Sequence, residues 1–538
     1  MSEPTPRPLD ALFPSASDVP ERWRWEPDDT GLRLLLDGKV ARWAGTPAPI
    51  RSAVCFRRPD GGLAQAELGP SAQATAAEGA AAVEAAARAW GGGRGDWPRA
   101  AVAERIACVE AFVKRALPLR ERVALALTWE VGKPWKDSLA EFDRTFAYVE
   151  ETVAALREME KGAAAGVGAG GYAARIRRAP LGVALCMGPY NYALNEVLTL
   201  VVPAVVMGNP VIVKTPRYGV LANALLASAL AESFPAGVVG LVTGHGPTVV
   251  GPMMESGKVD VLALVGSHRT AAVLMRQHPH PYRLRTVLGM GAKNPAIVLG
   301  DADLDSAARE IVAGALTFNG QRCTAIKHVL VERRVAPALV ERLADGIERL
   351  EVGMPWEEGV TITPLPDPEH PAYLASLVYD AVAKGARVVN RGGGERAGTL
   401  FRPALVDGVP PEAKLFTVEQ FGPVVPVSVV DSPAEALDAV DRATVGQQAA
   451  VFGGDPRVVG PLVDHLANLV CRVNLNTQCR RGPDVFPFTG RKDSAVGTLS
   501  ITDALRVFSI RSLVAVPEKE AVFLSALEAS SRFLAPPG

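Results

Sequence analysis

From Gly182 onward the chain alternates short apolar runs with amphipathic stretches of helical period, and few architectures accept that order. GVALCM, NPVIVK, VVGLVT, VDVLALVG and RTVLGM read as strands bounded by Gly, Pro or Asn. Between them lie NEVLTLVVPAVVM, GVLANALLASALAES, PTVVGPMM and SHRTAAVLMRQ, which read as helices. A strand that is followed by a helix and then by another strand of the same sheet returns in parallel. Repetition of that unit predicts a parallel sheet covered by helices on both faces. A second series begins at Asn294 with NPAIVL, DLDSAAREIVAGALTF, HVLVERRV and VAPALVERLADGIERL, and continues through FRPALV, PVVPVSVV, SPAEALDAVDRA, AAVFGG and LVCRVNLN. Two series call for two cores, and 538 residues supply them, since one core stops growing at about 250–300 residues.

The flanks read differently. The first fifty residues are rich in Pro and Trp and read as an extended arm over the surface. Residues 71–160 carry Ala-rich helical patterns such as AAAVEAAARAW and AERIACVEAFVKRAL, and the Gly-rich run 162–171 reads as a connector. RVFSIRSLVAVP is a late apolar strand followed by one closing helix. A net charge of −1 argues against a nucleic-acid or anionic-membrane binder. The most apolar stretch, Val197 to Met207, is interrupted by Pro203 and too short to span a bilayer. The N-terminus lacks the basic and apolar regions of a secretory signal. Six cysteines form no CxxC pair and suggest neither a disulfide framework nor a metal centre, so a cytoplasmic protein is the expectation.

Two places carry chemistry. Gly266-Ser267 follows a strand and opens a helix, where N-terminal N–H groups can meet a phosphate; no GxGxxG fingerprint is present. Cys323 sits in FNGQRCTA between a helix and a strand, with Arg322 beside it, a setting that reads as electropositive and partly exposed, as a thiolate nucleophile needs. A buried structural thiol and a plain turn are the alternatives.

GPYNYALNEVLTLVVPAVVMGNPVIVKTP, FPAGVVGLVTGHG, ALVGS, KNPAIVLGDADLD, FNGQRCTA and EQFGPVVPV follow one another in an order and at spacings that resemble the aldehyde dehydrogenase superfamily. The likeness covers residues 30–515. QRCTAIKHVLV, RRGPDVFPFTGRKDSAVG and the N-terminal LFPSASDVPERW most resemble its NADP-dependent, non-phosphorylating glyceraldehyde-3-phosphate dehydrogenases. The resemblance implies an α/β fold with a Rossmann-type cofactor domain (183–293), an α/β catalytic domain (294–490) and a small β oligomerisation element. That element takes a hairpin at 168–182 and a strand within 491–538, whose closing helix follows. Residues 1–167 would supply the arm and the helical part of the cofactor domain, and the assembly would be a homodimer or homotetramer.

By the same resemblance Cys323 is the nucleophile and Asn191 an oxyanion donor acting with the Cys323 backbone N–H. Lys214 meets the cofactor ribose or phosphate, Gly266 and Ser267 the pyrophosphate, and Glu419 the nicotinamide ribose, with Gly246 of the GHG turn on the same cofactor surface. Arg217 stands where the superfamily often has a ribose-binding glutamate. A guanidinium pairs with a 2′-phosphate, which favours NADP, with NAD as the alternative. Arg144, Tyr192, Arg322 and Arg481 match the subgroup's grip on substrate phosphate, and Arg480 adds a charge beside them. One departure matters: in LGMGAKNP the superfamily's general-base glutamate is replaced by Gly289. The expectation is oxidation of glyceraldehyde 3-phosphate to the acid. Transfer of the acyl group to coenzyme A, or cofactor binding with little turnover, are the rivals.

Overall fold

The computed structural model describes residues 7–164 and 166–534. Residues 1–6, within the expected arm, Ala165 of the expected connector and residues 535–538 lie outside it. Five of the expected strands form the centre of an eight-stranded sheet. In space their order is Val239–Val242, Val211–Lys214, Ala184–Met187, Val261–Val265 and Arg285–Gly289, all parallel. In chain order that is 3-2-1-4-5, the doubly wound arrangement. Its switch point lies between Ala184–Met187 and Val261–Val265, the place where such sheets open a ligand crevice.

The second series forms a seven-stranded sheet around Asn294–Val298, Ile326–Glu332 and Val424–Val430, again parallel except at the Arg387–Val388 edge. A third, antiparallel sheet pairs Ser509–Pro517 with Tyr172–Pro180 over nine residues and adds Val167–Ala169. It matches the hairpin and late strand expected of the oligomerisation element.

The N-terminal arm departs from expectation. Phe13 is fully buried, the Trp25 indole donates to the Leu68 carbonyl at 2.9 Å, and Arg33–Leu36 and Lys39–Arg42 extend the cofactor sheet by pairing at Leu35 with Leu241. Aromatic anchors that find a core cannot lie loose on a surface. Ala48–Arg57 and Leu63–Ser71 then form an unforeseen hairpin. Ala495–Val496 pairs with the far edge of the cofactor sheet, so that sheet draws on segments outside 183–293. The Gly-rich run is no plain connector: the Trp135–Ala164 helix reaches into it and Val167–Ala169 pairs as a strand. Pro403 divides FRPALV into Leu400–Phe401 and Ala404–Asp407, which belong to different sheets. Among the described residues no helix is long and apolar enough to cross a membrane.

Candidate active site

A cleft of about 630 Å³ opens at the switch point, lined by Tyr190, Asn191, Tyr192, Glu196, Lys214, Arg217, Gly266, Ser267, Gly289, Cys323 and Glu419 among others. Cys323 reaches it through an unusual turn. After the Leu304–Leu316 helix, Phe318, Asn319 and Gly320 all take positive φ, at 51°, 55° and 67°. Two non-glycine residues held there carry backbone strain that the surroundings must compensate. Asn319 does so through three hydrogen bonds with Thr363, of 2.9 to 3.1 Å. At Gly320 a Cβ would lie 2.6 Å from the Ala315 carbonyl oxygen, so glycine is required. The turn delivers Cys323 with its carbonyl fixed by Asn294 Nδ2 at 2.8 Å and Lys327 Nζ at 2.9 Å.

The thiol's setting corrects the sequence reading. Burial, and then the nearby Glu196 carboxylate, push the Cys323 pKa above its ordinary value, against the pull of Lys327 and Arg481. Arg322 does not supply the electropositive field: its Nη2 donates to the carbonyls of Ala313 (3.2 Å) and Gly314 (2.7 Å) at the end of the preceding helix. Both effects, burial and Glu196, favour the thiol over the thiolate in the free site.

Asn191 is placed by residues that the sequence did not single out. Its Nδ2 donates one hydrogen to the Gln321 carbonyl at 2.7 Å, leaving the second for the cleft. Its own carbonyl accepts from Lys133 Nζ at 2.7 Å. Lys133 is buried in an ion pair with Glu141, whose other oxygen accepts the N–H groups of Leu194 (3.1 Å) and Asn195 (3.0 Å). This pair seats the N-terminus of the Asn195–Val206 helix and, with it, the Asn191 turn. Nothing in EVGKPW and LAEFDR sets Lys133 and Glu141 apart from the charged residues beside them, so the sequence carried no signal for this pair.

The residues expected on the cofactor side line one crevice and its adjoining part. Lys214 ends its strand 8% exposed and makes no hydrogen bond or ion pair with a described residue, and burial lowers its pKa to about 8. A buried cation left alone implies an anionic or hydroxyl partner that arrives from outside. Ser267 caps the His268–Gln277 helix, its Oγ accepting from Thr270 N at 3.1 Å, and Gly246 opens the Gly246–Glu255 helix on an adjoining part of the crevice. Arg217 stands exposed at the crevice rim, 3.8 Å from Asp367. Its loop is anchored by Glu130, whose carboxylate accepts the N–H groups of Gly219, Val220 and Leu221 at 2.7 to 3.0 Å. Glu419 lies 2.7 Å from Lys327, which thereby links it to the nucleophile's carbonyl. A Cβ on Gly291 would come within 2.9 Å of Glu419, so the backbone there passes close beneath the carboxylate. An unpartnered buried ammonium, an open helix N-terminus and a rim arginine fit a dinucleotide carrying an extra phosphate.

The expected phosphate grip is only partly assembled. Tyr192 lines the cleft, its phenol pushed up to about 12 by burial, and the fields of Arg322 and Arg144 reach it. The arginines themselves are already engaged. Arg481 Nη1 contacts both oxygens of buried Glu196, at 2.6 and 2.8 Å, and its Nε lies 3.3 Å from Asp484. Arg144 holds the same Asp484 at 2.8 and 3.1 Å. Arg322 serves helix carbonyls, as above, and Arg480 turns to Thr477 and Glu310, away from the cleft. Glu196, a carboxylate on the cleft wall, was overlooked because it sits in a helix that reads as wholly apolar.

Gly289 ends its strand beside Val265, and no carboxylate replaces the missing one there. A thiol and an amide with a spare N–H thus face a crevice at the switch point of a doubly wound sheet, an arrangement suited to covalent chemistry at a carbonyl carbon. The chain belongs to the aldehyde dehydrogenase family, whose model matches residues 63–513. It is 35% identical over 409 residues to the NADP-dependent glyceraldehyde-3-phosphate dehydrogenase of Streptococcus equinus, covering 75% of this chain and 83% of that one. The enzyme of the same description from Pisum sativum is 32% identical over 421 residues, covering 77% and 82%. Among solved structures, the NADP-dependent glyceraldehyde-3-phosphate dehydrogenase from Bacillus halodurans C-125, complexed with NADP, superposes with a TM-score of 0.81 at 30% identity, over 90% of this chain and 99% of that one. An NAD-dependent aldehyde dehydrogenase from Sinorhizobium meliloti reaches 0.82 at 26% identity, over 94% and 98%. Backbone likeness therefore does not separate the two cofactors, and that choice falls to side chains such as Arg217.

Proposed function

We propose that the protein oxidises an aldehyde to the carboxylic acid with NADP, and that glyceraldehyde 3-phosphate is its preferred substrate. The observation that carries this reading is the meeting of Cys323 and Asn191 with Lys214, Ser267 and Arg217 in one cleft. Cys323, once deprotonated, adds to the aldehyde carbon. The resulting alkoxide is met by the free Asn191 Nδ2 hydrogen and by the Cys323 N–H, which makes no hydrogen bond to another described residue. When bound, NADP supplies the hydride acceptor; Lys214 and Ser267 would hold its ribose and phosphates, Arg217 its 2′-phosphate, and Glu419 its nicotinamide ribose. Collapse of the alkoxide leaves a thioester on Cys323, which water then cleaves.

The phosphate of the substrate would be drawn to Tyr192 and the arginines behind it, and must compete with Glu196 and Asp484 for them. Exposed apolar residues on and beside the third sheet, among them Leu513 and Phe523, support a homodimer or homotetramer, and six free cysteines support a cytoplasmic setting. The test is steady-state turnover of glyceraldehyde 3-phosphate and unphosphorylated aldehydes, with each cofactor, with and without coenzyme A, alongside Cys323→Ala. Activity above a few per cent in that variant would remove Cys323 from the chemistry. A requirement for coenzyme A would replace hydrolysis with acyl transfer.

A further inference from the structure

A second cavity, of about 500 Å³, shares no lining residue with the cleft. It lies where the Val102–Ala116 helix, the Trp135–Ala164 helix, the Tyr172–Pro180 strand and the C-terminal segment meet. Its walls hold five arginines and a single carboxylate, in a chain whose net charge is −1. Arg105 is its deepest cation, 4% exposed, with Nε and Nη1 buried and unpartnered, and its guanidinium makes no hydrogen bond or ion pair to any described residue. Its Nη1 lies 2.1 Å from where a Cβ on Gly208 would sit, so the guanidinium occupies space that glycine leaves open. Burial lowers its pKa to about 10, which leaves it charged at neutral pH.

Glu160 and Glu104 act on this charge from a distance, but no neighbouring group bonds its buried donors. Glu160, the one carboxylate of the walls, is bound by Arg177 Nη1 at 2.7 Å, and Arg177 keeps a second buried donor, Nε, without a partner. Arg178 spends its donors on Ser509 and the Arg506 carbonyl. Arg532 stands at the rim with no partner among the described residues. Buried guanidinium donors with nothing to bind are costly, and a doubly charged oxyanion is the ligand that uses several of them at once. The space exceeds what a bare phosphate fills, and Trp90 and Phe533 line the rest with aromatic surface.

We propose that this cavity binds a phosphate monoester carrying a ring or apolar portion, the phosphate paired with Arg105 and Arg177 and the organic part lying against Trp90 and Phe533. The Asn195–Val206 helix begins beside the Asn191 turn and ends just before Gly208, so the two sites lie roughly 18 Å apart along one helix of 12 residues. The proposal is independent of which aldehyde the cleft accepts.

The test is calorimetric titration of the full chain, saturated with NADP so that the cofactor's phosphate sites in the cleft are filled, with phenyl phosphate, phenol and inorganic phosphate; the Arg105 and Arg532 variants tell the cavity from the cleft's substrate-phosphate site. Phenyl phosphate should bind once per chain, more tightly than inorganic phosphate, and phenol should not bind. Arg105→Met should weaken phenyl phosphate by roughly 10- to 100-fold while the variant unfolds no earlier than the parent, since a buried charge with unbonded donors has been removed. Arg532→Gln, at the exposed rim, should weaken it less and leave folding untouched. Phenyl phosphate affinity unchanged in both variants, or no binding by the NADP-saturated parent, would overturn the proposal. So would an Arg105→Met variant that loses stability while Arg532→Gln binds as the parent does, for then Arg105 is a structural group.

Discussion

Gly289→Glu isolates the second half of the reaction. Hydride transfer needs the Cys323 thiolate, the oxyanion donors and bound cofactor; residue 289 touches that set only through its carbonyl, which accepts from Gly266 N at 2.8 Å and is kept whatever its side chain. Release of the acyl group needs a base for water, and the cleft's carboxylates are committed elsewhere. Glu196 lies against Arg481 at 2.6 and 2.8 Å, Glu419 is 2.7 Å from Lys327, and Asp367 is 3.8 Å from Arg217, so each already faces a cation of its own. A positioned base contributes about 10²–10⁴-fold, equivalent to roughly 2.7–5.5 kcal/mol of barrier. Rapid mixing of the parent with aldehyde and NADP should therefore give a burst of reduced cofactor, one per active site, followed by slow turnover. Residue 289 has room for a side chain: a Cβ would meet Val265 Cγ2 at 3.4 Å, an ordinary contact, and φ there is not positive. The glutamate should quicken the slow phase towards that range and leave the burst rate alone. Fast turnover by the parent without a burst would refute the reasoning, and so would a variant with a changed burst and an unchanged slow phase.

Three further outcomes follow from side-chain placement. Arg217→Glu should erase or reverse a preference for NADP over NAD, by roughly tenfold to a hundredfold in affinity for loss of a charge-assisted contact, read by equilibrium titration; a parent that binds NAD more tightly would contradict the assignment. Glu196→Gln should free Arg481 for substrate and raise kcat/KM for glyceraldehyde 3-phosphate by about tenfold or more, with little change for a neutral aliphatic aldehyde; equal effects on both would mean that the pair is structural. Because burial and Glu196 raise the Cys323 pKa, the thiolate fraction at neutral pH is small, and inactivation of the cofactor-free enzyme by iodoacetamide should keep accelerating past the free-cysteine midpoint of about 8.5. In Glu196→Gln that profile should move to lower pH, since the first neighbouring negative charge is gone. A profile flat from pH 6 upward would show a pre-formed thiolate.

Hydrophobic periodicity is a local property, and what depends on it was readable from the chain alone. The alternation of strand and helix named both parallel sheets, and the turn residues around Cys323 and Gly266 placed the thiol and an open helix N-terminus at strand ends. The partner of a charge is not local. Arg481 meets Glu196 across 285 residues and Arg144 meets Asp484 across 340, so only the folded chain shows that the expected phosphate grip is answered from within. Arg322 points to helix carbonyls rather than to its neighbour Cys323 because the strained turn at 318–320 sets its direction, and nothing in FNGQRCTA announces positive φ at Phe318 and Asn319. Sheet edges were equally hidden: a short strand such as Arg33–Leu36 carries too few residues for a period, and joins its sheet through Leu241, two hundred residues on. The tertiary structure also decided which cations stay unpaired. Lys214 faces the crevice and Arg105 a separate cavity, each buried where packing, not sequence, withheld a partner.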